Sequence, residues 1–206
     1  MKKILFQGDS ITDASRMREH PYNLGQGYPN FVAGRLGLQY PGEYEFQNRG
    51  ISGNRIVDLY ARSKCDILNL APDYMSILIG VNDVWHEQHD NGVSAPKFKK
   101  IYGMLLEELL DERPQMKILL VEPFVMKGTA TSEKFDWFLE EVMLRARAVE
   151  ELAAQYQLPF LPIQRDLNRL ATIAPVEHWL AEGVHPTVYF HQYLADRWIE
   201  IFEKTK

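Results

Sequence analysis

Short apolar runs alternate with longer amphipathic stretches along the chain. Ile4-Leu5-Phe6, ended by Gly8, predicts a buried strand. Tyr44 to Asn48 alternates like a strand, and Tyr74 to Ile79 is a second apolar run stopped by Gly80. Lys117 to Val121 predicts a strand closed by Pro123, and Pro159 to Pro162 a short last one. Between these runs the spacing turns helical. Residues 27 to 38 carry Tyr28, Phe31, Val32 and Leu36 at helical intervals, and Ile51 to Arg62 predicts a helix reached through Gly53-Asn54. Residues 96 to 112 form an amphipathic helix through Ile101, Leu105, Leu106, Leu109 and Leu110, with Pro96 accepted in its first turn. Residues 132 to 157 predict a long helix with Thr131-Ser132 as cap candidates. A final helix, 187 to 204, follows Pro186 and gathers Tyr189, Tyr193, Leu194, Trp198, Ile201 and Phe202 on or near its apolar face.

Strands that are apolar on both faces and alternate with helices imply a parallel sheet covered on both sides. In such sheets ligands bind beyond the carboxyl ends of the strands. No repeat, low-complexity segment or linker interrupts the order, so one domain over 1–206 is expected. Composition adds limits. Nearly half the 206 residues are hydrophobic and 25% are charged, as in ordinary globular domains. A formal net charge of -5 gives no broad attraction to nucleic acid or anionic membrane. The one tight basic run, Lys97, Lys99 and Lys100, reads as the solvated start of a helix. The single cysteine, Cys65, excludes an internal disulfide and a cysteine-rich metal site, and its expected role is structural. The apolar run after Met1-Lys2-Lys3 is too short for a secretory core, and no stretch reaches transmembrane length, so the expected location is cytoplasmic.

Four short blocks carry candidate chemistry, three of them at predicted strand ends. Gly8-Asp9-Ser10-Ile11-Thr12 follows the first strand. It would hold the Ser10 hydroxyl over the sheet edge beside a backbone N–H that a helix start leaves free for an oxyanion. Read alone, Asp9 or Ser10 is a helix cap. Gly50-Ile51-Ser52-Gly53-Asn54 follows the second strand, where glycine lets a backbone N–H approach a ligand. It lacks the spacing of a phosphate loop. Gly80-Val81-Asn82-Asp83 follows the third strand, and Asn82 offers amide donors. Glu182-Gly183-Val184-His185-Pro186 precedes the last helix. A carboxylate three residues ahead of a histidine can fix the imidazole tautomer, giving a nucleophile, base and orienter relay.

Together, and in this order, the blocks resemble the SGNH/GDSL hydrolase superfamily over essentially the whole chain. They are most similar to its acetylxylan-esterase-like carbohydrate esterases, through Gly8-Asp9-Ser10-Ile11-Thr12-Asp13, Gly50-Ile51-Ser52-Gly53-Asn54 and Gly80-Val81-Asn82-Asp83-Val84-Trp85. The resemblance implies an α/β fold, a flavodoxin-like three-layer α/β/α sandwich around a five-stranded parallel sheet. It implies Ser10 as nucleophile and His185 as base, with the amides of Ser10 and Gly53 and the side chain of Asn82 as oxyanion hole. No cofactor and no metal are expected. The family pattern has Asp three residues before the histidine, where this chain has Glu182. Glu182 is the expected orienter; a backbone carbonyl in that role, or a Ser-His dyad, is the alternative. Asp13 and Glu177 are less well placed.

Asp9, Trp85 and Trp179 are the candidate substrate contacts, since the two indoles flank catalytic blocks and could stack on a sugar or wall an acyl pocket. Trp137 and Trp198 are expected to pack in the core. His86-Glu87-Gln88-His89 lacks the spacing of a zinc-binding helix. His178 is weighed between cleft wall and structural histidine, and His20 and His191 carry no signal. The expected activity is hydrolysis of short-chain, acetyl esters of carbohydrates, with an acetylated sugar as small-molecule substrate and self-association into a homo-oligomer as a further expectation. The alternative is a lysophospholipase or thioesterase with Phe124, Val125 and Met126 lining an acyl groove. A non-catalytic binding module is the third.

Overall fold

The computed structural model describes residues 1–206. The first crossover runs β1 (Lys2–Gly8), α1 (Ser10–Asp13), α2 (Tyr28–Gln39) and β2 (Tyr44–Asn48). Then come α3 (Ile56–Ala61), α4 (Ser63–Asp66), β3 (Tyr74–Leu78), α5 (Val81–Trp85), α6 (Ala95–Glu112) and β4 (Lys117–Val121). The chain ends with α7 (Phe135–Gln155), β5 (Phe160–Leu161), α8 (Gln164–Leu170), α9 (Val176–Trp179) and α10 (Val188–Thr205). All five strands are parallel, in the order β2-β1-β3-β4-β5.

The strands are apolar on both faces because both faces are covered. Ile4 and Phe6 of β1, Leu78 of β3 and Leu119 and Val121 of β4 point one way, into a core shared with α2, α8 and α10. Leu5, Met75, Ile77, Ile118 and Leu120, the residues between, point the other way, into a core shared with α3, α6 and α7. The three-layer α/β/α sandwich follows. A smaller cluster of Val81, Val84, Val125, Phe138, Val142 and Val184 packs the carboxyl end of the sheet. Trp198 is buried as expected, against Phe6 and Phe202. Trp137 is not: at 38% exposure it lies edge-on to Phe138, on the outer side of its helix.

Two predicted helix starts move. Residues 51–55 form a turn, and α3 begins only at Ile56, because Gly53 adopts φ +82°, outside the helical region. Thr131 does not cap α7, which begins at Phe135. Its hydroxyl instead donates to the Met126 carbonyl (2.7 Å) and accepts the Gly128 N–H (2.9 Å), folding the segment after β4 on itself.

Strand order reverses at β1, with β2 on one side and β3 on the other. That switch point opens a crevice at the strands' carboxyl ends, where Gly8, Gly50 and Gly80 lead into the three predicted blocks. The Gly8 exit must be glycine: a Cβ there would collide with the Leu78 carbonyl and the Thr12 side chain.

Candidate active site

Ser10 is the first residue of α1, and Asp9 is its N-cap, accepting the Ile11 N–H at 3.0 Å. Cap and nucleophile candidate are thus neighbouring residues of one turn. A first helical residue has no intrahelical acceptor for its N–H, so the Ser10 amide is free. Burial pushes the Asp9 carboxyl up to about 7 against the pull of the Ile11 N–H and of His185. Asp9 is sealed under the turn at 1% exposure, so it holds the turn and does not meet substrate, contrary to its expected contact role.

The Glu182–His185 block is a tight loop closed by a bridge between Leu180 and Pro186 and by the Ala181 N–H donating to the His185 carbonyl. Gly183 turns it at φ +106°. A Cβ on Gly183 would sit 2.6 Å from the Met126 carbonyl oxygen, so the loop presses directly on the segment after β4. Met126 N–H donates to Gly183 O, and Ala130 N–H to Glu182 O. Held in this way, His185 places Nε2 2.8 Å from Ser10 Oγ. Glu182 Oε1 accepts the His185 backbone N–H at 3.0 Å and makes a short hydrogen bond with Nδ1 of the same residue. A carboxylate on Nδ1 fixes the tautomer with Nε2 as acceptor, facing the serine hydroxyl. Nδ1 has no carbonyl partner, so of the two orienting alternatives the carboxylate is the one in place.

The turn of residues 50–55 is pinned from both sides. Asp13 Oδ2 accepts the Ser52 N–H (3.0 Å) and hydroxyl (3.1 Å) and pairs with Arg18. Burial pulls the Asp13 carboxyl up, but Ser52 and Arg18 hold it below the usual carboxylate range. On the other side buried Asp83 accepts the Ile56 N–H. Burial raises the Asp83 carboxyl to about 8, opposed by that N–H and by Arg145. Asn82 Nδ2 donates to the Asn54 carbonyl at 3.2 Å, leaving its second N–H available. The Gly53 N–H has no acceptor in the protein. Gly50 packs so closely on Thr12 and Asp13 that a Cβ would clash with backbone. The structure therefore gathers Ser10, Gly53, Asn82, Glu182 and His185 around the crevice.

An open cleft of about 550 Å³ starts at Ser10 and His185 and runs past Ala14, Gln26, Ser52 and His191. Trp85 stands beside the site, its ring centroid 6.1 Å from that of His185. Trp179 turns away: its indole N–H donates to the Leu170 carbonyl (3.0 Å) and its ring packs on the core, so it is not a cleft residue. His178 is likewise outside the cleft, stacked on Tyr189 with centroids 4.3 Å apart. Phe124 and Val125 are fully buried, Phe124 against Phe190, and line no acyl groove; Met126 packs against the same core. His86 and His89 lie in a 3-10 turn, and nowhere do three or more His, Cys, Asp or Glu side chains gather as metal ligands would. Asp13, Asp83 and His191 were given no role from the sequence, because each acts through a partner distant along the chain.

Residues 6–193 match the profile of the GDSL-like Lipase/Acylhydrolase family. The chain belongs to this family. It is a serine ester hydrolase of the carbohydrate-esterase and acyl-hydrolase kind. It is 35% identical to an acetylxylan esterase of Geobacillus stearothermophilus, over 94% of this chain and 90% of that one. Among solved structures it resembles a candidate GDSL-like lipase from Parabacteroides merdae, with 33% identity, a TM-score of 0.92 and coverage of 98% and 95%. It also resembles the crystal structure of the Geobacillus acetylxylan esterase Axe2, with 31% identity, a TM-score of 0.87 and coverage of 97% and 93%. Solved catalytic mutants of Axe2 replace a serine, a histidine, and an aspartate three residues before that histidine. Glu182 and His185 have the same spacing.

Proposed function

We propose that this GDSL-family hydrolase removes acetyl groups from carbohydrates through an acyl-enzyme on Ser10. The observation that carries the reading is the unbroken relay from Ser10 Oγ to His185 Nε2 and from His185 Nδ1 to Glu182, at the mouth of an open cleft. His185 takes the hydroxyl proton as Ser10 Oγ attacks the ester carbonyl, and the developing imidazolium is held by Glu182. The carbonyl oxygen becomes an oxyanion received by the N–H groups of Ser10 and Gly53 and by Asn82 Nδ2. His185 returns the proton to the departing sugar hydroxyl. Water, activated by the same base, then releases acetate and restores Ser10.

The wall of the cleft favours a small acyl group and a polar alcohol. Gln26, Ser52 and His191 line it, whereas Phe124 and Val125, the residues a long acyl chain would need, are sealed in the core. The test is a series of p-nitrophenyl esters of increasing chain length alongside acetylated xylo-oligosaccharides, with Ser10→Ala as control. Preference for acetate, activity on the oligosaccharides and an inactive Ser10→Ala are expected. Preference for long acyl chains, or equal activity in Ser10→Ala, refutes the proposal.

A further inference from the structure

His191 sits in the first turn of α10, 8% exposed, where it forms part of the cleft wall. One edge of its ring is fully committed. Nδ1 accepts the backbone N–H of Tyr28 at 3.2 Å, satisfying a donor at the start of α2. The same edge lies against Gly27, where a Cβ would come 2.9 Å from Cε1 and 3.2 Å from Nδ1. A backbone N–H can only donate, so Nδ1 carries no proton and the neutral ring must hold its proton on Nε2. Burial and the neighbouring His185 push this imidazole down to about 4, which keeps it neutral at physiological pH. Nδ1 is bonded, and so is the backbone N–H, to the Thr187 carbonyl, whereas Nε2–H donates to nothing in the protein and is not sealed from solvent. A lone, fixed donor in the wall of a cleft that begins at the nucleophile is built to meet an oxygen of the substrate.

We propose that the His191 Nε2–H is a positioning donor for the alcohol half of the ester, hydrogen-bonding a hydroxyl or ring oxygen of the acetylated sugar. This rests on the function proposed above, since it presumes a polyol leaving group. Neither His185 nor Ser10 competes for the donor, because they are bonded to each other. Being neutral, His191 adds recognition without a charge that would oppose the imidazolium forming on His185.

Two substitutions separate recognition from the structural cap. In His191→Asn the amide oxygen replaces Nδ1 toward Tyr28, but the amide nitrogen stops short of the Nε2 position. In His191→Gln the amide nitrogen reaches the Nε2 position and the acceptor for Tyr28 is lost. The measured quantity is kcat/KM on an acetylated xylo-oligosaccharide relative to phenyl acetate, whose leaving group offers no further oxygen. His191→Asn should lower this ratio about fivefold to tenfold, the worth of one neutral hydrogen bond, with the loss falling on KM and the melting temperature near wild type. His191→Gln should keep the ratio and melt earlier. A wild-type ratio in His191→Asn, or a ratio lost only in step with thermal stability, overturns the assignment. A wild-type enzyme active on phenyl acetate but on no acetylated sugar overturns the proposed function as well, and the wild type alone reveals it.

Discussion

Glu182 carries the plainest energetic prediction. In Glu182→Ala the His185 ring loses the partner of Nδ1, and the His185 backbone N–H loses its acceptor. Only the first loss grows along the reaction, because Nδ1–H becomes part of an imidazolium as the serine is deprotonated. A hydrogen bond to a charged group contributes about 1.5–3 kcal/mol. The His185 and Glu182 side chains are 43% and 25% exposed, so water screens the pair and replaces part of what is removed. The loss of transition-state stabilisation should then be about 1–2 kcal/mol, or roughly 5- to 30-fold in kcat. KM should move little, since Glu182 is not part of the cleft wall. His185→Ala removes the base itself and should cost on the order of 10⁴-fold or more. Glu182→Asp should fall between wild type and Glu182→Ala, because a carboxylate shorter by one methylene must strain to hold both donors. The assay is steady-state hydrolysis of p-nitrophenyl acetate at neutral pH by the three variants, with circular dichroism to confirm folding. Wild-type turnover in Glu182→Ala refutes the orienting role. A loss equal to that of His185→Ala refutes the argument from screening.

Two further outcomes follow from the geometry. Asn82→Ala removes a side-chain oxyanion donor and should lower kcat about 100-fold with KM within a fewfold of wild type; a drop carried by KM instead would move Asn82 from transition-state stabilisation to ground-state binding. Asp9→Asn keeps the cap acceptor for the Ile11 N–H but cannot ionise. Because the folded Asp9 carboxyl titrates at about 7 instead of near 3.8, its contribution to stability is full below about pH 4 and lost as pH rises through about 7. The wild type should therefore lose up to about 4 kcal/mol that Asp9→Asn retains, at about 1.4 kcal/mol per pH unit between those values. Urea unfolding at pH 4 and pH 8 should show the variant gaining on the wild type at the higher pH; the same difference at both values would refute the reasoning.

The inner strands were legible because a parallel sheet buried on both faces imposes continuous apolar runs, and β3 and β4 begin and end close to where those runs do, while β2, on the partly exposed edge, was legible by its alternation instead. The candidate catalytic blocks were legible because each is local: Gly8 to Ser10, Gly80 to Asn82, and Glu182 to His185 need only a few residues of context. What escaped was either too short for a period to show or defined by a distant partner. Helices α1, α4 and α9 are four residues each, about one turn, which no 3.6-residue repeat can reveal. Asp13 acts through Ser52, 39 residues on, and Asp83 through Ile56, 27 residues back. Asp9 and Trp179 were misassigned for a related reason. Both lie near proposed catalytic residues in the chain, but nearness in sequence does not fix direction: Asp9 turns under α1 next to Ser10, and Trp179, three residues before Glu182 at the end of α9, turns to the Leu170 carbonyl.

The misplaced start of α3 and the proposed oxyanion donor at Gly53 have one cause. Had residues 51–55 continued the helix, the Gly53 N–H would lie within the first turn of α3, set by the helix axis and not by the crevice. The turn instead leaves that N–H without an acceptor, which is costly for a backbone donor unless solvent or substrate reaches it. A free turn would also be mobile, and a mobile donor must be reordered at the moment charge develops. Here it is not free: Asp13 holds Ser52, Asn82 holds Asn54, and Asp83 holds Ile56. Those contacts bracket Gly53 on both sides, and one of them is made by Asn82, the side chain proposed to share the oxyanion with it. The buried carboxyl groups thus act as struts, fixing the donor before the substrate arrives, and fixed dipoles stabilise an oxyanion without reorganising. On this argument the aspartates after Thr12 and Asn82 belong to the proposed catalytic design as much as the serine does, although neither meets the reacting atoms.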